Sequence, residues 1–145
     1  LVENPVRLSW DEVQALPMRE TVSDFHCVTG WSVPDVHWKG ILPATLIDLV
    51  KPKPTATHVT FQSLEEPYFD QITMEQFQLP DVLLASDMDR KPLVRAHGAP
   101  LRVRVETQLG YKSMKYLRGL VVTSEFDDNG PYGMIQNGWS WYAGI

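Results

Sequence analysis

This chain has a single cysteine, Cys27, set in Phe25-His26-Cys27-Val28-Thr29-Gly30-Trp31-Ser32, with Trp38 shortly after it. A second group follows much later: His97-Gly98-Ala99-Pro100-Leu101-Arg102, then Gly110-Tyr111-Lys112-Ser113-Met114-Lys115. A thiolate is the softest anionic ligand a side chain offers and suits soft metals. Gly30 lets a bound group approach the backbone closely. In the second group, Arg102, Lys112, Ser113 and Lys115 are donors suited to an anion. Gly98 and Gly110 allow tight turns that expose backbone N–H groups, and His97 adds a further donor.

Each of these residues also has a plainer reading. An isolated cysteine is more often a small buried apolar residue. A cysteine nucleophile needs a base. His26 is adjacent, so on a strand it points to the opposite face, and His97 has no evident orienting partner. His97 alone reads as a turn or core histidine, and Lys112 and Lys115 alone as solvated lysines. The four histidines show no tight metal-binding spacing. One cysteine excludes an internal disulfide framework and a cysteine-rich zinc site.

Charge sharpens the picture. The net charge is −5, yet eight of the 13 lysines and arginines fall in residues 90–118, opposed there only by Glu106. A basic stretch inside an acidic chain points to a local anionic ligand rather than to nucleic acid. The plainer alternative is a solvated strand face studded with arginines.

At 145 residues and 43% hydrophobic content, the chain is expected to form one domain, residues 1–145, with a substantial core. Its apolar runs are too short to span a bilayer. No signal-peptide pattern is present, and a start at Leu1 fits a processed or trimmed chain. Ser9 and Glu12 form a capping-box pattern, so a short helix is expected to stop at Pro17. Residues 21–28 read as a strand that delivers Cys27. Residues 31–40, with Pro34 and Gly40, read as a loop. Pro43 suits the first position of a helix ending before Pro52. Residues 58–63 read as a strand, 64–71 as a polar loop, and Thr73 with Gln76 as another helix cap. Residues 82–88 read as a buried strand, followed by a turn at 89–92. Leu101, Val103 and Val105 alternate with Arg102, Arg104 and Glu106, the pattern of a half-buried strand. Residues 115–126 give a last strand, and 130–145 read as irregular. The fold class is α+β, with mixed sheets and short helices.

The Cys27 segment and residues 97–115 together resemble the molybdopterin-binding domain of the sulfite oxidase family. The Trp10-Asp11-Glu12-Val13 opening and Val82-Leu83-Leu84-Ala85 also fit, so the resemblance spans about residues 10–122. The chain departs from the family pattern at Glu106, where many members carry a proline nearby. It departs again at Glu66-Pro67-Tyr68 and at Tyr116, which replaces a tryptophan. The resemblance implies the sulfite-oxidase-type fold and a molybdenum–molybdopterin cofactor, with Cys27 as metal ligand. It implies cofactor contacts at His26, Thr29, Gly30, Trp31 and Trp38, the two tryptophans walling the metal pocket. At the pterin and phosphate end it implies His97, Arg102, Lys112, Ser113 and Lys115. The resemblance also implies that Tyr68 stands where the family carries an active-site tyrosine near the metal's oxo group; the plainer alternative is a surface aromatic packed on the core. The activity implied is oxygen-atom transfer to or from a small sulfite- or sulfoxide-like substrate. The alternative is a non-catalytic molybdopterin-binding or electron-transfer subunit. An external electron-transfer protein such as a cytochrome is the expected partner, and the periplasm the expected compartment.

Overall fold

The computed structural model describes residues 1–127 and 138–145. Helix α1 (Trp10–Ala15) carries the expected capping box: Ser9 Oγ accepts from Glu12 N–H, and Glu12 accepts from Ser9 N–H at 2.7 Å. Such a cap stabilises a short helix by about 1 kcal/mol. Strands β1 (Met18–His26) and β2 (Ser32–Ile41) form an antiparallel hairpin. Helix α2 (Pro43–Val50) begins with Pro43 in its first turn, as expected. Then come β3 (His58–Ser63), β4 (Phe69–Thr73), the one-turn α3 (Met74–Phe77) and β5 (Val82–Met88). The short β6 (Lys91–Pro92), β7 (Arg102–Val105) and β8 (Leu117–Thr123) complete the elements. Two 3-10 turns, Arg95–His97 and Gly110–Lys112, flank β7. Among the described residues, no helix is long and apolar enough to cross a membrane.

Two sheets result. One runs β1-β2-β5-β6, with β7 also paired to β5; the other runs β4-β3-β8. Strand alternation divides β5 and β7 between two cores. Val82, Leu84, Val103 and Val105 face the main core with Val59, Phe61, Ile72 and Leu117 from the second sheet. Leu83 and Ala85 face the other way, into a smaller cluster with Val36, Trp38 and Leu93, against which Phe25 packs.

The expected loop at residues 31–40 is corrected: it is strand β2. Gly40 is there because β5 passes so close that a Cβ would lie 2.2 Å from the Leu84 carbonyl oxygen. Pro34 sits at a bulge, where the β1–β2 register shifts between Ser23 and Phe25. The expected loop at 64–71 is corrected at its end, because β4 already begins at Phe69. β7 is not half-buried: Arg102, Val103, Arg104 and Val105 are all buried. The last strand is shorter than 115–126. The expectation for 130–145 lies partly outside the described residues.

Candidate functional site

Cys27 lies just past β1, in the turn of the β1–β2 hairpin. Its N–H donates to the Trp31 carbonyl at 2.9 Å, and Gly30 N–H donates back to the Cys27 carbonyl at 3.0 Å. Gly30 has φ +87, so the turn uses the left-handed region that favours glycine. The thiol is half-buried, and its Sγ lies 3.1 Å from Thr29 Oγ1. His26 is turned to Ser32, Nδ1 to Oγ at 2.7 Å. Trp31 is 52% exposed and stacks on Phe25, ring centroids 6.0 Å apart. Trp38 is buried on the sheet face behind the hairpin.

Phe25 connects this hairpin to the basic segment. A Cβ at Gly110 would lie 2.3 Å from the Phe25 ring, so the 3-10 turn is pressed onto it. The Arg102 and Arg104 guanidiniums lie 5.8 and 5.5 Å from the Phe25 centroid, and 5.3 and 5.7 Å from that of Trp38. Two cations and two aromatic rings thus share one buried cluster. Arg102 donates to the His97 carbonyl at 3.0 Å and to the Ser113 carbonyl at 2.9 Å. It therefore ties the two halves of the basic motif together. Burial, and then the neighbouring Arg104 charge, push the Arg102 guanidinium down to about 10. Burial lowers Arg104 as well, opposed by Glu106 and Asp81.

The two lysines of the motif separate. Lys115 is exposed and donates to the Ala96 carbonyl at 2.6 Å. Its pKa is lowered by burial and by the Arg102 charge, against Glu65. Its stem packs where a Gly98 Cβ would sit, 2.8 Å away, and Gly98 itself has φ +102. His97 is exposed beside it. Lys112, expected at the phosphate end, is placed differently. Its side chain is fully buried, and its ammonium is bound to Asp70 at 2.5 Å and to the Gln71 carbonyl at 2.9 Å. The Trp141 ring covers it at 5.8 Å. The Ser113 hydroxyl also points inward, accepting from Val105 N–H at 3.1 Å. Tyr68 is half-buried, packed against the main core.

Four contributors were not singled out in the sequence: Phe25, Arg104, Asp70 and Ser63. Ser63 Oγ accepts from Glu65 N–H at 3.0 Å and donates to the Lys115 carbonyl at 3.3 Å, joining the 64–68 loop to the motif. Arg104 had a signal, since it shares a strand face with Arg102. The others had none locally.

The residues fit an anionic, polar cofactor. Arg102 Nε, Arg104 Nε and Trp38 Nε1 are buried without an acceptor. Among the described residues, the ion pairs are Lys112–Asp70 and Arg118–Glu66, so neither buried arginine has a carboxylate partner. Such a cluster calls for an anion. Among the described residues no group of three histidine, cysteine or carboxylate side chains gathers to hold a metal. A cavity of ≈ 580 Å³ lies elsewhere, lined by Val13, Ile41, Leu46 and Leu84 among others, and includes none of these site residues.

The family described as oxidoreductase molybdopterin binding domain matches residues 1–131. The chain belongs to this family. The cofactor that goes with it is molybdenum–molybdopterin. The chain is 35% identical over 125 residues to the uncharacterized oxidoreductase YuiH of Bacillus subtilis, covering 86% of this chain and 63% of that protein. It is 33% identical over 144 residues to the putative protein-methionine-sulfoxide reductase subunit YedZ1 of Azospira oryzae, covering 99% of this chain and 53% of that one. It is 31% identical over 140 residues to the protein-methionine-sulfoxide reductase catalytic subunit MsrP of Campylobacter jejuni, covering 86% and 47%. The chain thus spans between 47% and 63% of these relatives' lengths. The sulfane dehydrogenase SoxCD from Paracoccus pantotrophus has the same fold, with a TM-score of 0.79 at 19% identity, covering 86% of this chain and 36% of that one.

Proposed function

We propose that this domain transfers an oxygen atom to or from a small substrate, with a sulfoxide as the favoured class and Cys27 as the metal ligand. The observation that carries the reading is the position of the half-buried Cys27 turn. It sits on a hairpin docked, through Phe25, onto two buried guanidiniums that make no ion pair among the described residues and whose Nε atoms have no acceptor. Two relatives named as protein-methionine-sulfoxide reductase components support the sulfoxide class.

When bound, molybdenum–molybdopterin supplies the two-electron chemistry of oxygen transfer. The chain's residues do the rest. Cys27 would hold the metal as a thiolate. Trp31 and Trp38 would wall its surroundings and exclude water. Lys115 and His97 are the exposed donors suited to the phosphate and pterin end, and Arg102 fixes the turn that carries them. Ser113 contributes through its carbonyl, which anchors Arg102. His26 and Thr29 set the form of the Cys27 turn through their own hydrogen bonds. Tyr68 would act from the core side, by packing. An external electron-transfer protein, such as a cytochrome, would restore the metal's oxidation state, and the periplasm suits such a pairing. The second reading is a redox subunit without its own turnover; the relative YedZ1 is named as a putative reductase subunit, without the word catalytic that MsrP carries.

The test is Cys27→Ser in the metal-loaded protein. X-ray absorption at the molybdenum edge should show one sulfur fewer, and sulfoxide reduction with an artificial electron donor should be lost. An unchanged sulfur shell would remove Cys27 from the metal. A parent protein with the full sulfur shell and no turnover would favour the subunit reading.

A further inference from the structure

Strands β1 and β7 are not neighbours: β2 and β5 stand between them in the sheet. Yet Arg104 on β7 reaches β1. Its Nη2 donates to the Asp24 carbonyl at 2.7 Å and to Ser23 Oγ at 3.2 Å, while Nη1 donates to its own strand at Val105 O. These acceptors lie in the β1–β2 bulge, where the register shifts between Ser23 and Phe25. The bulge has few other ties. Pro34 has no N–H, and Asp35, at φ +53, spends its N–H on Asp24 Oδ1 at 3.0 Å. The next residue, Phe25, lays its ring against the same guanidinium, and Gly110 closes on that ring. Two residues further on stands Cys27. Arg104 is 1% exposed, so it faces no solvent.

We propose that Arg104 is the positioning residue of the Cys27 hairpin. It holds the bulge against the segment of residues 97–115 and so fixes where the thiol stands relative to the pterin end. The functional meaning rests on the reading of Cys27 as metal ligand. The guanidinium is suited to this because its planar fork serves three acceptors while stacking between Phe25 and Trp38. An ammonium offers no such plane.

The test uses the full chain, metal-free and metal-loaded. Amide hydrogen exchange at Cys27 and Gly30 reports closure of the turn, because both N–H groups bond within it. Exchange at Val59 and Phe61 in β3 reports the main core. Arg104→Met should raise exchange at Cys27 and Gly30 by about ten-fold or more, as expected for loss of charged hydrogen bonds, with β3 unchanged. Arg104→Lys should fall between parent and Met variant, and Ser23→Ala should give a smaller selective rise. In the loaded Met variant, the sulfur shell of molybdenum should spread in distance. Unchanged protection at Cys27 and Gly30, or a rise shared equally by Val59 and Phe61, would overturn the proposal. Should Arg104→Met fail to fold, Arg104→Lys and Ser23→Ala decide the matter by the same two criteria. The exchange result stands apart from the ligand reading. If Cys27→Ser leaves the sulfur shell unchanged, Cys27 is not the ligand, and exchange still reports whether Arg104 holds the turn.

Discussion

Replacing Lys112 with methionine should destabilise the fold rather than merely loosen a cofactor. The ammonium is fully buried, 2.5 Å from Asp70, and also donates to the Gln71 carbonyl. Methionine keeps an unbranched apolar stem and removes the ammonium, with its charge and its hydrogen bonds. Asp70 then remains buried with no cation, and its Oδ2 already lacks a partner. Breaking a buried pair from one side costs about 3–5 kcal/mol. At roughly 2–4 °C per kcal/mol for a domain near this size, the melting temperature should fall by about 10 °C. Removing both partners, Lys112→Met with Asp70→Leu, should recover most of that loss, because no lone charge is left inside. The pH dependence gives a second check. Burial pushes the Asp70 carboxyl above its ordinary range, opposed by Lys112 and the Gln71 N–H. Without Lys112 it moves higher still. Between its ordinary and raised values, the folded variant binds more protons than the unfolded chain, so its stability falls as pH rises. The deficit against the parent should therefore be larger at about pH 8 than at about pH 5. Thermal melts followed by circular dichroism measure the parent and both variants. A single-variant loss below about 1 kcal/mol, or a double variant as unstable as the single, would refute the account of a buried, mutually dependent pair.

Lys115→Ala should leave the melting temperature nearly unchanged, since the residue is exposed, while lowering molybdopterin content. A charge-assisted contact is worth about 1.5–3 kcal/mol, so retention should drop about ten-fold or more in pterin fluorescence after extraction; full retention would make it an ordinary surface lysine. Gly40→Ala should disrupt the β2–β5 pairing, because the new Cβ would lie 2.2 Å from the Leu84 carbonyl oxygen and 2.6 Å from Ala85 Cα, both backbone atoms. Loss of amide protection along β5, with β3 spared, is the expected exchange pattern.

What the sequence disclosed, and what it withheld, divides by the range of the contacts. Both capping boxes, at Ser9 with Glu12 and at Thr73 with Gln76, close within one turn, and each was readable from two residues. The β3 and β5 boundaries were readable from β-branched and apolar runs for the same reason. The alternation in β7 correctly put Arg102 and Arg104 on one face. It did not reveal that this face is buried, because the cover comes from Ser23 and Asp24, 81 and 80 residues away. Pro34 and Gly40 looked like loop residues. One occupies a bulge and the other a strand crossing too tight for a side chain, and neither condition exists until β1 and β5 are in place. The two motif lysines show the same limit most sharply. They are three residues apart and alike in type, and the sequence assigns them one role. The 3-10 turn at Gly110–Lys112 sends one inward, where Asp70, 42 residues earlier, holds it. The other stays at the surface beside Ala96 and Gly98. A carboxylate at position 70 carries no local mark of that partnership. The chemical types suited to an anionic cofactor were therefore visible in the chain, while the choice of which lysine stays at the surface and which braces the fold from inside is made only by tertiary pairing.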